Sequence, residues 1–242
     1  MRKDIGLLLL VATLFPGPAL AQEVCRELDG LIEPSERVEL SSQVPGVLTE
    51  VLVDRGDLVR KGQVLARLNS TVEETAIDLV KAKLEFGQRK EVRNEELSKE
   101  NLISENERDE IATENRLSAL ELREAEAKLN LRSLVSPIDG IVLERLLAPG
   151  EYISDKAVLN LATIDPLYVE VIVPVECFNR IKKGSRAEIL PQRPVGGSYS
   201  GVVKIVDQVI DAASGTFGVR VELPNSEKKL PAGIRCQVRF MK

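Results

Sequence analysis

Apolar and polar positions change their period twice along the 242 residues of the chain. Residues 44–68 and 138–162 read as short strands divided by Gly-Asp and Gly-Glu turns, whereas residues 70–133 repeat apolar positions at helical spacing. From Pro166 onward, short apolar strands and turn clusters return. This order predicts a mainly β chain that is interrupted once by helices.

The helical stretch, residues 70–133, consists largely of Ala, Leu, Glu, Lys and Arg, which favour helix. Ser104 with Glu107 and Thr71 with Glu74 match capping boxes, so we predict two helices that start near these residues. Helices of about 28 residues, each about 42 Å long, would fold back as an antiparallel coiled-coil hairpin. Their 4,3,4,3 spacing predicts two packing faces: Val72, Ala76, Leu79, Lys83, Phe86, Lys90, Arg93 and Leu97 on the first helix, and Ile111, Asn115, Ser118, Leu122, Ala125, Leu129 and Arg132 on the second.

The two strand segments on either side of the hairpin resemble each other at a constant offset of 94 residues. The matched positions are Gly46 and Gly140, Glu50 and Glu144, Leu52 and Leu146, Gly56 and Gly150, and Val64-Leu65 with Val158-Leu159. Such a repeat indicates two copies of one β unit related by pseudo-symmetry. We expect the four glycines to supply positive φ at tight turns, and the two halves to pack into one small β-sandwich.

The C-terminal third of the chain predicts a small β-barrel, because several short strands follow one another with regular turns. The strands are indicated near residues 167–173, 186–190, 199–206, 216–223 and 234–240. Residues 24–40, which precede the first half of the sandwich, are expected to add a strand to this barrel.

The repeated motif G-(V/I)-(L/V)-x-E, followed by G-(D/E) and later by V-L, resembles the biotinyl/lipoyl-type domain. A lipoyl-like domain that is split by a coiled-coil hairpin resembles the periplasmic adaptor, or membrane fusion protein, family (HlyD-like), which serves tripartite efflux pumps and type I secretion systems. The residues that carry the resemblance are Gly46–Leu48, Gly56–Ala66, Ser136–Val142 and, in the barrel, Asp211–Arg220. The resemblance implies an elongated, modular architecture without a full membrane-proximal domain, because little chain follows the predicted barrel.

The predicted division of the chain has six parts. They are a signal peptide at residues 1–21, a leading segment at 22–43 that adds a barrel strand, the first lipoyl-like half at 44–69, the antiparallel α-helical hairpin at 70–133, the second lipoyl-like half at 134–165, and the β-barrel domain at 166–242.

Three residues near the predicted tip of the hairpin are candidates for docking an outer-membrane channel. Arg93, Leu97 and Ser104 follow the spacing R-x3-L-x6-S, and many adaptors carry these residue types near the tip and use them to engage a TolC-like channel. Arg offers a planar fork of donors, Leu an apolar contact and Ser a hydroxyl. The alternative is purely structural: Arg93 and Leu97 fall on the predicted packing face, and Ser104 caps a helix.

The resemblance also implies the partners. They are an inner-membrane transporter, of RND type rather than ABC type, a TolC-like outer-membrane channel, and further copies of the chain in a hexamer or a trimer of dimers. The apolar run within residues 1–21 follows a basic start and precedes a small-residue cleavage site, which is typical of a secretory signal peptide. We therefore expect the mature chain in the periplasm, associated with the inner membrane through its transporter.

Composition narrows the chemistry that is open to the chain. It contains no histidine, no tryptophan, five Phe and three Tyr, which excludes Ser-His-Asp and Cys-His catalysis and histidine-ligated metals. Scarce rings disfavour base stacking, and a formal net charge of −5 disfavours binding to a phosphate backbone. We expect no enzymatic activity, no cofactor or metal, and no nucleic-acid partner.

Two other hypotheses compete with the adaptor role. The first is a lipoyl- or biotin-type carrier of an acyl- or carboxyl-transfer system, since Asp155-Lys156-Ala157 resembles a lipoylation motif. The modified lysine of a carrier lies between the halves, however, where this chain has its hairpin, so we interpret Lys156 as a surface lysine. The second is a coiled-coil scaffold without a transport role.

Three cysteines, Cys25, Cys177 and Cys236, complete the candidate chemistry. An exported chain meets an oxidising compartment, so one disulfide and one remaining thiol are one interpretation. Three buried thiols without any disulfide are the other. The sequence does not select a pair.

Overall fold

The structure is a computed structural model, and it describes residue 25, residues 27–99 and residues 102–241. The predicted signal peptide, residues 1–21, lies outside these residues. The chain divides into two compact units, one comprising residues up to Ser35 together with those from Ile164, and the other comprising Glu36–Thr163. None of the helices in the described part of the chain is long and apolar enough to span a membrane.

The described residues form twelve strands, two α-helices and a 3-10 turn at Val175–Cys177. The strands are β1 (Leu28–Ser41), β2 (Gly46–Val51), β3 (Leu58–Val59), β4 (Val64–Leu68), β5 (Ser133–Val135), β6 (Gly140–Arg145), β7 (Tyr152–Ile153), β8 (Ala157–Pro174), β9 (Arg186–Pro191), β10 (Tyr199–Val206), β11 (Thr216–Leu223) and β12 (Ile234–Phe240). The helices are α1 (Thr71–Lys99) and α2 (Glu105–Asn130). The prediction of a mainly β fold with one helical hairpin is therefore confirmed.

The first unit is a closed, six-stranded barrel. Its strands follow the order β1-β12-β9-β10-β11-β8, and β8 pairs again with β1. Residues alternate between the inside and the outside of the barrel, as the period of two requires in a sheet that buries one face. In β11, for example, Phe217, Val219, Val221 and Leu223 are buried and the residues between them are partly exposed. The buried residues from all six strands form one apolar core.

A disulfide between Cys25 and Cys177 connects the segment before β1 to the 3-10 turn. It selects one of the alternatives that the sequence left open. Phe178, the next residue, packs edge-on against Phe217 with ring centroids 5.2 Å apart. Cys236 is a free, buried thiol, and burial raises its pKa to about 11, with a smaller contribution from the charge of Asp29. Cys236 is therefore a core residue of low reactivity.

The second unit contains the sandwich, and its backbone hydrogen bonds show the predicted pseudo-symmetry. Leu48 donates to the carbonyl of Glu151 (2.8 Å), and Gly150 donates back to Leu48 (2.7 Å). The positions 94 residues away repeat the exchange: Val142 donates to Asp57 (2.9 Å), and Gly56 donates to Val142 (2.9 Å). The strand pairs β2–β7 and β3–β6 are likewise equivalent. Each half thus supplies strands that the other half needs, and neither buries its apolar face alone.

The offset is one residue shorter in the last strand of the repeat. Val51 lies opposite Ala66 in the first half, whereas Arg145 lies opposite Leu159 in the second. The structural equivalent of Leu65 is therefore Val158, and the predicted match of Val64-Leu65 with Val158-Leu159 is wrong by one position. The reason is a turn: four residues separate β3 from β4, but three separate β7 from β8. An ungapped comparison of apolar residues could not detect the deletion, because both registers match apolar with apolar.

The four glycines of the repeat have two different roles. Gly56 and Gly150 both have φ of +94°, in turns where few L-residues fit. The expectation of a positive φ is wrong for Gly46 and Gly140, which begin β2 and β6. There the glycine permits close approach: a Cβ on Gly140 would overlap the carbonyl oxygen of Ala162, and one on Gly46 would lie 2.9 Å from Nη1 of Arg132.

Candidate docking site on the helical hairpin

The root of the hairpin is held by capping and by one arginine. The Thr71 N–H donates to Oδ1 of Asn69 (3.1 Å), and the Ser70 hydroxyl donates to the Glu74 carboxylate (2.6 Å). The predicted Thr71–Glu74 capping box is therefore wrong, because the residues before the helix, Asn69 and Ser70, supply the side chains that the box assigned to Thr71.

Arg132, which follows α2, joins three segments of the second unit. Its Nη2 donates to Oε1 of Glu73 (2.6 Å), and its Nη1 donates to the carbonyl of Pro45 (2.9 Å). Both side chains of the ion pair are largely shielded from solvent. The hydrogen bond from Arg132 holds the pKa of Glu73 below its ordinary value. The start of α1, the end of α2 and the entry to β2 are thus fixed against each other by one guanidinium group.

The packing face of α1 differs by one residue from the predicted one. Val72, Leu79 and Phe86 of the predicted face are exposed, whereas Ile77 is buried. The less exposed residues of α1 are Glu73, Ile77, Val80, Leu84, Gly87, Glu91, Asn94 and Ser98, again at 4,3 spacing, together with Lys90 and Leu97 of the predicted face. The prediction for α2 is confirmed, because Ile111, Asn115 and Ser118 are buried. The α1 error arose because several contact positions are polar or glycine, so an apolar pattern pointed to the neighbouring, exposed row.

The middle of the helix–helix contact is polar. Nδ2 of Asn115 donates to Oε2 of Glu91 (2.6 Å), and Ser118 is also buried. Ion pairs run along the flanks in antiparallel order, from Lys83 with Glu121 (2.8 Å) to Lys90 with Glu114 (3.8 Å). Buried polar groups in a coiled coil specify register at some cost in stability. The hairpin therefore has a defined alignment of its helices.

The far end of the hairpin carries the three predicted docking residues. Arg93 is exposed and lies one turn before Leu97, which is half-buried. Ser104 is the N-cap of α2 and accepts a hydrogen bond from the Glu107 N–H at 3.2 Å. Residues 100 and 101 lie outside the described part of the chain. The structure thus places Arg93 and Leu97 on one stripe of α1 and Ser104 at the start of α2.

Leu102 is a further exposed residue at this end that the sequence reasoning did not single out. Its N–H donates to the carbonyl of Leu97 at 2.9 Å, and 63% of its surface is exposed. The only available signal was an apolar pair, Leu102-Ile103, between two helices that are otherwise highly charged. Leu97 and Leu102 are therefore two apolar residues that a backbone hydrogen bond holds close together at the far end of the hairpin.

Among the described residues, no group of three or more Cys, Asp or Glu side chains is arranged to hold a metal ion. Lys156, the candidate of the carrier hypothesis, directly precedes β8 and is exposed. It lies in the second half of the repeat and not between the halves, in agreement with its interpretation as a surface lysine.

These features define a class of protein: a sandwich of two quasi-equivalent β halves with a helical hairpin inserted between them, and a separate six-stranded barrel. Residues 36–163 match the family described as CzcB-like, barrel-sandwich hybrid domain, and residues 166–242 match the CusB-like β-barrel domain. The chain belongs to the CzcB-like barrel-sandwich hybrid family. The resemblance to periplasmic adaptors that the motifs indicated is confirmed.

Two individual proteins illustrate the similarity. The chain is similar to the solvent efflux pump periplasmic linker SrpA of Pseudomonas putida, with 23% identity over 232 residues that cover 89% of this chain and 61% of SrpA. It is similar to the multidrug resistance protein MdtE of Escherichia coli K12, with 26% identity over 97% of this chain and 66% of MdtE. The chain thus spans about three fifths of the length of SrpA and somewhat more of MdtE.

A solved structure shares the fold. The MacA-MexA chimeric protein, which contains the Pseudomonas aeruginosa MexA α-hairpin domain, superposes with a TM-score of 0.75 and 19% sequence identity. The match covers 88% of this chain and 79% of the chimera. At this identity the likeness concerns the fold alone, and it includes a protein with an inserted α-hairpin.

Proposed function

We propose that the chain is the adaptor of a tripartite efflux system and links an inner-membrane transporter, of RND type rather than ABC type, to a TolC-like outer-membrane channel. It performs no reaction of its own. The proposal includes cleavage of the signal peptide at residues 1–21 and a periplasmic location for the mature chain. The curated relatives support this role, because one is a solvent efflux pump periplasmic linker and another a multidrug resistance protein. A disulfide between Cys25 and Cys177 supports export to an oxidising compartment.

The observation that carries the proposal is the inserted hairpin with a rigid root and an exposed far end. Helices of 29 and 26 residues separate the two ends by about 40 Å at 1.5 Å per residue. Arg132 fixes the root, so a contact made near Arg93 and Leu97 transmits a defined position to the sandwich. In this proposal the hairpin at residues 70–133 docks, and the lipoyl-like halves at 44–69 and 134–165 support it.

The docking assignment is tested by replacing a cationic and an apolar side chain at the far end with aspartate. We expect Arg93→Asp and Leu97→Asp to abolish cross-linking of the chain to the outer-membrane channel in intact cells. Arg123→Asp, which makes the same charge change on the exposed surface of α2, is the matched control and retains it. Helix content by circular dichroism verifies that each variant folds. Normal cross-linking in both folded variants would show that the far end does not dock.

Ser104 requires its own variant, because it also caps α2. Aspartate caps helices about as well as serine, so Ser104→Asp keeps the helix start while it removes the hydroxyl and adds a negative charge. We expect unchanged thermal unfolding and weaker cross-linking to the channel. Unchanged cross-linking would leave Ser104 with the capping role alone. If the wild-type chain cross-links to no outer-membrane channel, the result favours the scaffold hypothesis instead.

Self-association is part of the same proposal, as a hexamer or a trimer of dimers. Val72, Leu79 and Phe86 form an exposed apolar row on α1 with seven-residue spacing, and Leu117 and Leu120 are exposed on α2. An apolar row on one helix and an apolar patch on the other allow head-to-tail contacts between hairpins, and such contacts form a ring when the rotation between neighbouring copies closes. Each of these five side chains is at least 50% exposed in the hairpin.

Sedimentation velocity of the purified chain tests the ring. We expect Leu79→Glu and Phe86→Glu to reduce the oligomer to smaller species, because each places a charge in an apolar contact. Gln88→Glu adds the same charge at an exposed polar position of α1 and serves as the control. Oligomers that are as stable in the two apolar-row variants as in the control would contradict this surface assignment.

A further inference from the structure

The two ends of the barrel can be distinguished by its strand pairing. β8 and β11 are antiparallel, with Pro174 opposite Thr216 and Leu167 opposite Leu223. The loops that follow Pro174 and precede Thr216 therefore lie at one end, which we call the 174/216 end. Met241 also lies there, because its N–H donates to the carbonyl of Arg186 (2.9 Å) at the start of β9. The opposite, 167/223 end carries the loops at residues 192–198 and 224–233.

Exposed apolar side chains of the barrel loops are concentrated at the 174/216 end. Val209 is 83% exposed, and Val175, Ile210 and Met241 are 38%, 38% and 48% exposed. At the 167/223 end, by contrast, Val195 packs against the core and Leu230 is buried. Large apolar side chains on separate protruding loops are costly in water, so their presence at one end indicates a contact surface.

The loop that carries Val209 and Ile210 is closed by its own hydrogen bonds. The Asp211 N–H donates to the carbonyl of Thr216 (2.8 Å), and the Gly215 N–H donates to that of Asp211 (2.8 Å). The Val175 N–H donates to the carbonyl of Gly215 (2.9 Å), which ties the loop to the 3-10 turn. The apolar side chains are thus presented by an ordered loop, and binding would require little additional ordering.

Positive charge accompanies these apolar side chains. Lys182 and Lys183 are exposed at the same end, and no carboxylate of the described residues forms an ion pair with either. With Lys204 they line a recess of about 470 Å³ whose apolar wall includes Phe178 and Ile205. Lys204 itself is paired with Glu222 at 2.9 Å. The recess therefore combines two ammonium groups that have no ion-pair partner with an apolar wall.

The exposed acids at this end include Glu27, which is paired with Arg239 (2.6 Å), and Glu176, Asp207 and Asp211. The Asp211 carboxylate accepts the Ala213 N–H at 2.8 Å, and this bond holds its pKa below the ordinary value. The Asp207 carboxylate lies over Gly218, where any side chain would displace it. None of these carboxylates lines the recess itself, so Lys182, Lys183 and Lys204 are the charges that an approaching surface meets there.

We propose that the 174/216 end of the barrel binds the surface of an anionic phospholipid bilayer, with Val209 and Ile210 in the interface and Lys182 and Lys183 at the headgroups. A fluid bilayer accommodates apolar side chains that protrude from separate loops, whereas a folded protein partner would need a matching cavity for each. The formal net charge of −5 does not prevent this, because charges beyond about 8–10 Å are screened at physiological salt. The inference stands apart from the adaptor role and depends on no other protein.

Co-sedimentation of the purified full chain with lipid vesicles tests the proposal. The probes are vesicles of phosphatidylcholine alone and vesicles that also contain phosphatidylglycerol. We expect binding to the anionic vesicles, weaker binding to the neutral ones, and a decrease with added salt. Each lysine near an anionic surface contributes about five-fold in partitioning, so Lys182→Glu/Lys183→Glu is expected to lower it by more than about twenty-five-fold.

The chain offers a matched control at the other end of the same barrel. Lys228→Glu/Lys229→Glu makes the same two charge reversals in the loop after β11 and is expected to bind as the wild type does. Val209→Ser changes a side chain that is already 83% exposed, so it leaves folding intact while it weakens binding to the anionic vesicles. Absence of wild-type binding, or equal losses in the two lysine variants, would overturn the proposal; the former would point to a protein partner.

Discussion

The side-chain oxygen of Asn115 in α2 occupies the space directly above Gly87 in α1, where a Cβ on the glycine would overlap it. The amide nitrogen of the same side chain donates to Glu91 at 2.6 Å. The glycine, the amide and the carboxylate therefore act as one unit in the middle of the hairpin. This explains why α1 contains a glycine at an interior position, which costs about 1 kcal/mol relative to alanine.

The first prediction is that Gly87→Ala destabilises the hairpin although alanine favours helix. The new Cβ forces Asn115 away from Glu91, and loss of this charge-assisted hydrogen bond costs about 1.5–3 kcal/mol, which exceeds the gain in helix propensity. In an Asn115→Ala background the overlap is absent, so the same substitution is expected to stabilise by up to about 1 kcal/mol. Unfolding followed by circular dichroism at 222 nm measures both effects, and equal effects in the two backgrounds would contradict the coupling.

The second prediction concerns Arg132 at the root. Arg132→Lys is expected to destabilise the second unit by about 1–2 kcal/mol, because one ammonium group cannot reproduce the planar pair of donors to Glu73 and Pro45. Chemical denaturation at neutral pH measures the loss. Arg123→Lys, the same exchange at an exposed position of α2, is the control and is expected to leave the stability unchanged within experimental error.

The third prediction is the pH dependence of the same ion pair. The folded-state pKa of Glu73 is below its ordinary value of 4.5, so the contribution of its carboxylate to stability is complete above that value. It is lost as the pH falls through the lowered pKa. We therefore expect the difference in unfolding free energy between the wild type and Glu73→Gln to be constant near neutrality and to shrink below about pH 4. A difference that grows on acidification would contradict the assignment.

Much of this fold could be predicted from sequence because it depends on repetition and period. The offset between Gly56 and Gly150 identified two copies of one unit, and their equal φ angles show that each copy makes the same turn. The α1 packing face could not be predicted from apolar positions. It contains Gly87, which leaves room for the side-chain oxygen of Asn115, and Glu91, which accepts a hydrogen bond from the amide nitrogen of Asn115. Apolar periodicity detects only faces that are stabilised by apolar burial.

The candidate site was predictable to a similar degree. The capping role of Ser104 follows from local rules and is observed in the structure, since its hydroxyl meets the Glu107 N–H. The sequence analysis placed Arg132 only on the packing face of α2. In the structure its guanidinium group also donates to the carbonyl of Pro45, which lies 87 positions earlier in the chain. Such a contact depends on how the two halves close around the hairpin, which no local pattern reports.

The fourth prediction separates the two kinds of glycine in the repeat. Gly140→Ala is expected to prevent folding or to cost several kcal/mol, because its Cβ would overlap a backbone carbonyl of β8 that cannot move without breaking the sheet. Gly56→Ala meets no atom within 4 Å and carries only the strain of a positive φ, about 1–2 kcal/mol. Expression level and thermal unfolding compare the two variants. A milder effect at Gly140 than at Gly56 would show that the sandwich adjusts there.

The fifth prediction concerns the disulfide of the barrel. Cys25 and Cys177 are 152 residues apart, so their bond removes much conformational freedom from the unfolded chain. We expect Cys25→Ser/Cys177→Ser, or reduction of the wild type, to lower the unfolding free energy by about 2–4 kcal/mol. Cys236→Ala is the control, because it removes a cysteine but keeps the disulfide. Reductant is therefore expected to destabilise this variant as it does the wild type.

Thiol titration of the unreduced protein provides the second readout. Cys236 is 1% exposed and its pKa is raised to about 11, so the folded chain is expected to react with no thiol reagent at neutral pH and to expose one thiol after denaturation. Three reactive thiols in denaturant would mean that the chain holds no disulfide. In that case the Cys25→Ser/Cys177→Ser variant would unfold at the same temperature as the wild type.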